Sequence, residues 1–244
     1  MCTVTYIPAK EGVFLVSNRD EKHFRSDALF PESYKFPSGE IVFPKDADAG
    51  GTWIAMHENG NAIVFLNGGL EAHTPEPPYR KSRGMILLDL IDADSPSEEF
   101  NMVNLNAIEP FTAVVWDHSR LYECIWDGEQ KHFVEKDNNL PHIWSSVTLY
   151  EETTRSRRRQ WFDEWLAKNP APELNNILDF HQFSGDGDMY NSLLMNRDGY
   201  VFTVSITGMQ LAKTRGEMVY LDVKNSRRSF FEVRFNQSTP VGQR

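Results

Sequence analysis

The sequence predicts an α+β protein, a four-layer αββα sandwich in which two antiparallel sheets lie face to face with helices outside. Three observations lead there. Short apolar, β-branched runs recur towards both ends of the chain. Turn signals separate them at hairpin spacing. The strongest helical stretches sit in the middle. With 244 residues, 40% of them hydrophobic, the chain can bury one large core, and a single domain over 1–244 is expected.

The elements follow in order. Residues 2–7 alternate and are β-branched, residues 8–12 read as a turn and residues 13–16 as a returning strand, which makes an N-terminal hairpin. Closing it between Ile7 and Val13 sets position 2 across from Ser17-Asn18-Arg19-Asp20. Residues 22–48, rich in Phe, Pro and Ser, read as a long lid-like loop whose aromatics Phe24, Phe30, Tyr34, Phe36 and Phe43 could line an apolar acyl pocket. A second hairpin pairs 52–56 with 62–66 around Glu58-Asn59-Gly60-Asn61 and ends in Asn67-Gly68-Gly69. Ser82 opens an amphipathic helix through Met85, Leu87, Leu88 and Ile91, and Ser95-Pro96 starts another. Residues 111–116, 121–126 and 131–134 form a meander. A helix spans 153–168 with Trp161 and Trp165 four apart as core residues, and a second spans 171–180 beyond Asn169-Pro170. Strands are expected at 192–195, 201–206, 217–223 and 230–235.

Composition excludes several classes of function. A net charge of −10 leaves no dominant basic surface to release counterions from nucleic acid. Two cysteines, Cys2 and Cys124, are too few for a secreted disulfide scaffold, and the sequence has neither a secretory leader pattern nor about 18 consecutive apolar residues for a membrane span. A cytoplasmic protein is expected. The seven histidines lack zinc spacing, and no nucleophile elbow, phosphate loop or dinucleotide fingerprint is present, so neither metal nor cofactor is expected. Asp186-Gly187-Asp188 reads as a turn rather than a calcium loop. The run Arg155-Ser156-Arg157-Arg158-Arg159 reads as a solvated helix face, with a site for an anionic ligand as the alternative.

The chemistry concentrates at the N-terminus. Once Met1 is removed, Cys2 carries a thiol of reference pKa about 8.5 and an α-amine of about 7.7–8, a nucleophile and its base on one residue. Across the hairpin, Arg19 would lower the thiol pKa, Asp20 would hold the α-ammonium or orient the arginine, and Asn18 would fix a substrate carbonyl. The plainer reading makes Cys2 a small buried hydrophobe and the polar run a solvated turn.

Met1-Cys2, the tetrad Asn18-Arg19-Asp20-Glu21, Ala49-Gly50-Gly51-Thr52-Trp53 and a strand ending in Asn67 occur in an order and spacing that resembles the NRDE family of transport and Golgi organisation 2-like proteins. That family is similar to N-terminal nucleophile hydrolases of the choloylglycine hydrolase and penicillin acylase type. The resemblance implies that Cys2 is nucleophile and base, that Asp20 contacts its amine and that Asn67 helps form an oxyanion hole. It departs from those hydrolases at three places. Ser17 stands where they carry an arginine, with Arg19 inside the unit instead. Ser146 is the nearest match to their second asparagine, and Arg197 and Arg215 are candidates for their late arginine, with no motif around either. The expectation is a hydrolase of linear amide C–N bonds acting on a small-molecule amide or acyl substrate. Its catalytic residues would be Cys2, Asp20, Asn67 and Arg19, and its substrate contacts Asn18, Trp53 and Ser146. The alternative is a non-catalytic binding or trafficking protein on the same scaffold, handling haem or lipid-like ligands.

Overall fold

The computed structural model describes residues 3–236. Strands β1 (Thr3–Ala9) and β2 (Gly12–Lys22) form the expected N-terminal hairpin, with Thr3 opposite Asn18 and Ile7 opposite Phe14. Gly12 closes it at φ +123, where a Cβ would meet the Leu211 carbonyl oxygen at 1.9 Å, so no other residue fits. The chain then lays down a seven-stranded antiparallel sheet in sequence order: β3 (Leu29–Phe36), β4 (Gly39–Lys45), β5 (Ile54–His57), β6 (Ala62–Asn67), β7 (Phe111–Asp117), β8 (Arg120–Trp126) and β9 (Lys131–Lys136). Between β6 and β7 it makes α1 (Arg83–Ile91) and α2 (Pro96–Met102), capped by Ser82 and Ser95, whose side chains accept from the Met85 and Glu98 amides.

The chain returns through β10 (His142–Ser145), α3 (Glu152–Lys168), α4 (Leu174–Phe183), β11 (Asn196–Arg197), β12 (Val201–Leu211), β13 (Arg215–Asp222) and β14 (Arg227–Arg234). These strands complete the first sheet in the order β10-β1-β2-β12-β13-β14, with β11 on the end of β12. The N-terminal hairpin therefore lies inside its sheet, flanked on both sides. Alternation along β1 and β2 divides the side chains between two cores. Val4, Tyr6, Val13 and Leu15 pack between the sheets against residues such as Ile54, Val64 and Val114. Ile7, Phe14 and Val16 pack on the other face against Phe162, Ile177 and Phe180 of α3 and α4. With α1 and α2 against the second sheet, the layers read αββα, as the sequence predicts.

Four expectations need correction. Residues 22–48 are no lid-like loop: β2 runs to Lys22, and β3 and β4 pair as a hairpin around Pro37-Ser38. Prolines at 31, 37 and 44 obscure the alternation, and the edge strand β3 tolerates Pro31 because a ladder donor is not needed on its open side. Phe43 is 2% exposed, stacks on Tyr34 at 4.3 Å and meets Phe36 edge-on, so these three rings hold the hairpin together, while Phe24 lines a cleft at the end of β2. The polar run 17–20 is not a solvated turn. It is strand and buried throughout, Asn18 paired with both Thr3 and Ile206, and Arg19 and Asp20 with Ser205 and Thr203 of β12. Residues 192–195 are irregular rather than strand, although Leu193 and Met195 are buried. Arg158, read as part of a solvated face, is fully buried. No helix among the described residues is long and apolar enough to cross a membrane.

Candidate functional site

The ends of β2 and β6, the loop before β5 and the start of α1 enclose a cleft of about 630 Å³ whose lining includes Arg19, Glu21, Trp53, Phe65, Asn67 and Arg83. Arg19 reaches it because odd-numbered residues of β2 face the second sheet. Its guanidinium is 4% exposed, lies 2.7 Å from Asp46 Oδ2 and 3.4 Å from Glu21 Oε2, and stacks with Cζ 4.7 Å from the centroid of Trp53. Asp46 also accepts from Arg25 and from the Asp48 and Ala49 amides. Burial raises the pKa of Asp46, but the Ala49 amide and the two guanidiniums outweigh it and hold the carboxyl below its usual range.

The run Ala49-Gly50-Gly51-Thr52-Trp53 builds one wall of this cleft. Gly50 donates to the Asp46 carbonyl and Asp46 to the Gly51 carbonyl, closing a tight loop. A Cβ on Gly51 would lie 2.5 Å from the Gly84 carbonyl carbon, and one on Gly84 would lie 2.7 Å from the Thr52 oxygen. Two glycines are thus required for the first turn of α1 to seat against the loop. Thr52 anchors the turn by donating from Oγ1 to the Pro44 carbonyl, and Trp53 follows beneath Arg19.

Asn67 ends β6 at the cleft. Its carbonyl accepts from Ser146 Oγ at 2.7 Å and Thr148 Oγ1 at 3.4 Å, while its side-chain amide has no partner among the described residues. In the same cleft, Arg83 pairs with Glu109 at 3.1 Å.

The even-numbered residues of β2 point the other way, into the layer of α3 and α4. Asn18 donates to the carbonyls of Leu193 (2.8 Å) and His181 (3.2 Å), and its Oδ1 accepts from His181 Nδ1. His181 Nε2 is left to accept from Thr5 Oγ1 at 2.8 Å, which assigns a neutral tautomer. Burial, and then the Arg158 charge, push the His181 pKa down to about 3. Asp20 accepts from Tyr150 Oη at 2.8 Å and from Thr203 Oγ1 at 2.5 Å. Tyr150 is flanked by two cations, Arg158 Cζ at 3.6 Å and Arg197 Cζ at 5.3 Å from its ring centroid. Arg158 in turn donates to Thr3 Oγ1 and to the carbonyls of Asn191 and Ser192.

Of the residues picked out in the sequence, Arg19, Trp53 and Asn67 share the cleft, and Ser146 supports Asn67 through its backbone. Asn18 and Asp20 lie on the opposite face of the sheet, and Cys2 falls outside the described residues. Arg197 sits beside the Asp20 network, whereas Arg215 is on an exposed strand end with Glu217. No local sequence signal marks Asp46 or Arg83, and none assigns Glu21 to the cleft or Arg158 to the interior. Glu21 was within the tetrad, and Arg158 precedes the core residue Phe162 by four, a helical spacing that places both on one face. No cluster of three or more His, Cys, Asp or Glu fit to hold a metal occurs among the described residues.

The sandwich and its central N-terminal strand define the class. A mutant of the conjugated bile acid hydrolase from Clostridium perfringens superposes with a TM-score of 0.58 at 12% identity, covering 100% of this chain and 99% of that one. A second variant of that hydrolase gives 0.60 at 12%, with the same coverage. The Caenorhabditis elegans ortholog of N-acylethanolamine-hydrolyzing acid amidase gives 0.58 at 9%, covering 86% and 92%. The fold is that of the N-terminal nucleophile hydrolases. The sequence profile of the transport and Golgi organisation 2 family matches residues 1–232, and the chain belongs to that family. No curated protein matches the sequence.

Proposed function

We propose that this protein is a cytoplasmic N-terminal-nucleophile hydrolase, one domain acting on the linear amide C–N bond of a small-molecule amide. The observation that carries the reading is the cleft itself. Arg19, Glu21 and Asn67 line it, and Thr3, the residue that follows Cys2, pairs with the neighbour of Arg19. The fold shared with a bile acid hydrolase and an acid amidase supports the same class of reaction.

In this reading removal of Met1 frees the α-amine of Cys2, which takes the thiol proton. The thiolate adds to the amide carbonyl carbon, and the oxyanion is held by the Asn67 side-chain amide and a backbone N–H. The C–N bond breaks as the amine returns that proton to the leaving nitrogen, and a thioester remains. Water then adds to the thioester carbonyl, giving up a proton to the same amine. Collapse releases a carboxylic acid and restores the thiol. Asp20, held by Tyr150 and Thr203, orients the α-amine, and Arg19 with Trp53 and Ser146 shapes the cleft. Asn18, bonded to His181 of α4 and to the Leu193 carbonyl, serves in this reading to hold the strand.

The test is turnover of a panel of N-acyl amides by the wild type, Cys2→Ala and Cys2→Ser, with folding checked by circular dichroism. Both variants are expected to fold and to lose turnover. Hydrolysis persisting in Cys2→Ala would sink the mechanism.

A further inference from the structure

The fold divides the arginine run of α3. Arg157 pairs with Asp186 and lies over Trp161, and Arg158 is buried against Thr3, Asn191 and Ser192. Arg155 and Arg159 are left, four residues apart and therefore on one face of the helix. Both line a cavity of about 210 Å³ that shares no lining residue with the cleft. Arg155 gives one Nη to Glu152 at 2.5 Å, and its Nε is buried with no hydrogen-bond partner among the described residues. The exposed Arg159 guanidinium has neither an ion pair nor a hydrogen bond among the described residues.

The cavity exists because the first sheet ends in a short strand. The four-residue β10 pairs with β1 alone, and beside it a gap remains whose lining includes Leu66 of β6, Thr112 of β7 and Ile125 of β8. Ile143 and Trp144 of β10 also face this gap, and with Ile125 they stay only half-buried. Such a lining favours a ligand with an apolar body. At interior packing density the cavity holds roughly ten heavy atoms, so that body is compact.

Three other polar side chains of the wall have protein partners. Glu123 accepts from Trp144 Nε1 at 2.8 Å and meets Lys136 Nζ at 3.5 Å, Thr112 Oγ1 donates to the Gly68 carbonyl, and Ser146 Oγ donates to the Asn67 carbonyl. Lys136 thus offsets Glu123, and Glu152 offsets Arg155. One cation, Arg159, and one unused donor, Arg155 Nε, remain. They match a single negative charge on a planar acceptor, because a carboxylate meets the edge of a guanidinium with two parallel hydrogen bonds. A phosphate dianion would bring a second charge with no cation to meet it.

We propose that this cavity binds a monocarboxylate on a compact apolar or aromatic body, seated against Ile125, Ile143 and Trp144 with its carboxylate held by Arg155 and Arg159. The hydrogen bond from Ser146 to Asn67 joins its wall to the cleft, but the site requires nothing of Cys2 and stands whichever residue attacks the substrate of the cleft.

The probe is 3-phenylpropionate, with 3-phenylpropan-1-ol as its neutral counterpart, each titrated onto the full chain by ligand-observed NMR. The acid is expected to bind with a dissociation constant near or below about 1 mM, and the alcohol about tenfold more weakly. Arg159→Gln changes an exposed side chain, so it should keep the fold and bring the acid to the level of the alcohol. Lys22→Gln, at an exposed cation of the cleft, should leave both unchanged. Equal binding of acid and alcohol, or acid binding that ignores Arg159→Gln, would overturn the inference. Binding lost in Lys22→Gln would do the same by placing the acid in the cleft, as would no binding of the acid at about 10 mM.

Discussion

At the scale of single residues, β2 sends its polar side chains to opposite faces. Arg19 and Glu21 meet in the cleft, and Asn18 and Asp20 form hydrogen bonds on the helix side. Substitutions on the two faces should therefore differ in kind. The Asn67 side chain has no partner among the described residues, so Asn67→Ala should cost little stability. If it donates to an oxyanion, turnover should drop by roughly 10²–10³. Parallel measurements of kcat and Tm would show this, and an equal fall in both would assign Asn67 a structural role. Arg19→Met should behave differently. It leaves a half-buried Asp46 with Arg25 alone and removes the cation over Trp53, a loss towards the lower part of the roughly 3–5 kcal/mol seen when one partner of a buried pair is removed. Urea denaturation reads that loss directly, and a change under about 1 kcal/mol would show that the Asp46 network is solvated in solution.

At the scale of elements, the glycine run before β5 separates two reasons for glycine. Gly50 sits at φ +73 with nothing near its missing Cβ, so Gly50→Ala should cost about 1 kcal/mol of backbone strain. A side chain on Gly51 would collide with the backbone of Gly84, which cannot rotate away, so Gly51→Ala should cost about 3 kcal/mol and disturb the cleft wall. The reverse ranking in thermal melts would mean that α1 does not seat on this loop. The elements themselves were largely legible in the sequence. The caps Ser82 and Ser95 and the meander β7 to β9 follow from short-range rules that tertiary packing did not override. The hairpin of β3 and β4 was hidden because proline reads as a breaker, although an open edge or a strand end accepts it. The four-residue strand β10 was hidden because it is held by its pairing with β1, which no local pattern announces. The cleft residues in the tetrad and the glycine run could be named from sequence, but not which face each occupied. A two-sided polar strand is specified by partners distant in the chain, such as Thr203 and His181.

At the scale of the whole molecule, the polar layers tie stability to pH. His181 has its pKa pushed to about 3, and burial pulls His57 down as well, its Nδ1 accepting from the Asn59 amide while Ser38 Oγ meets Nε2. A histidine with a depressed folded pKa binds its proton more readily unfolded. Its contribution is fully present above the unfolded value of about 6.5 and is lost as pH falls towards the folded value. Stability should therefore be level near neutrality and fall below about pH 6.5 by up to about 1.4 kcal/mol per pH unit for each histidine. Carboxylates held low by their partners, Asp46 and Asp127 (about 2) among them, are protonated in the unfolded chain only below about pH 4. The histidines thus account for the first part of the acid limb. Urea midpoints measured from pH 7.5 to 4 should show it, and His181→Gln, less stable at neutral pH, should have a visibly shallower slope between 6.5 and 4. If the slope is unchanged in that variant, His181 is protonated in the native protein, and the layer joining β1 and β2 to α4 is wet rather than sealed.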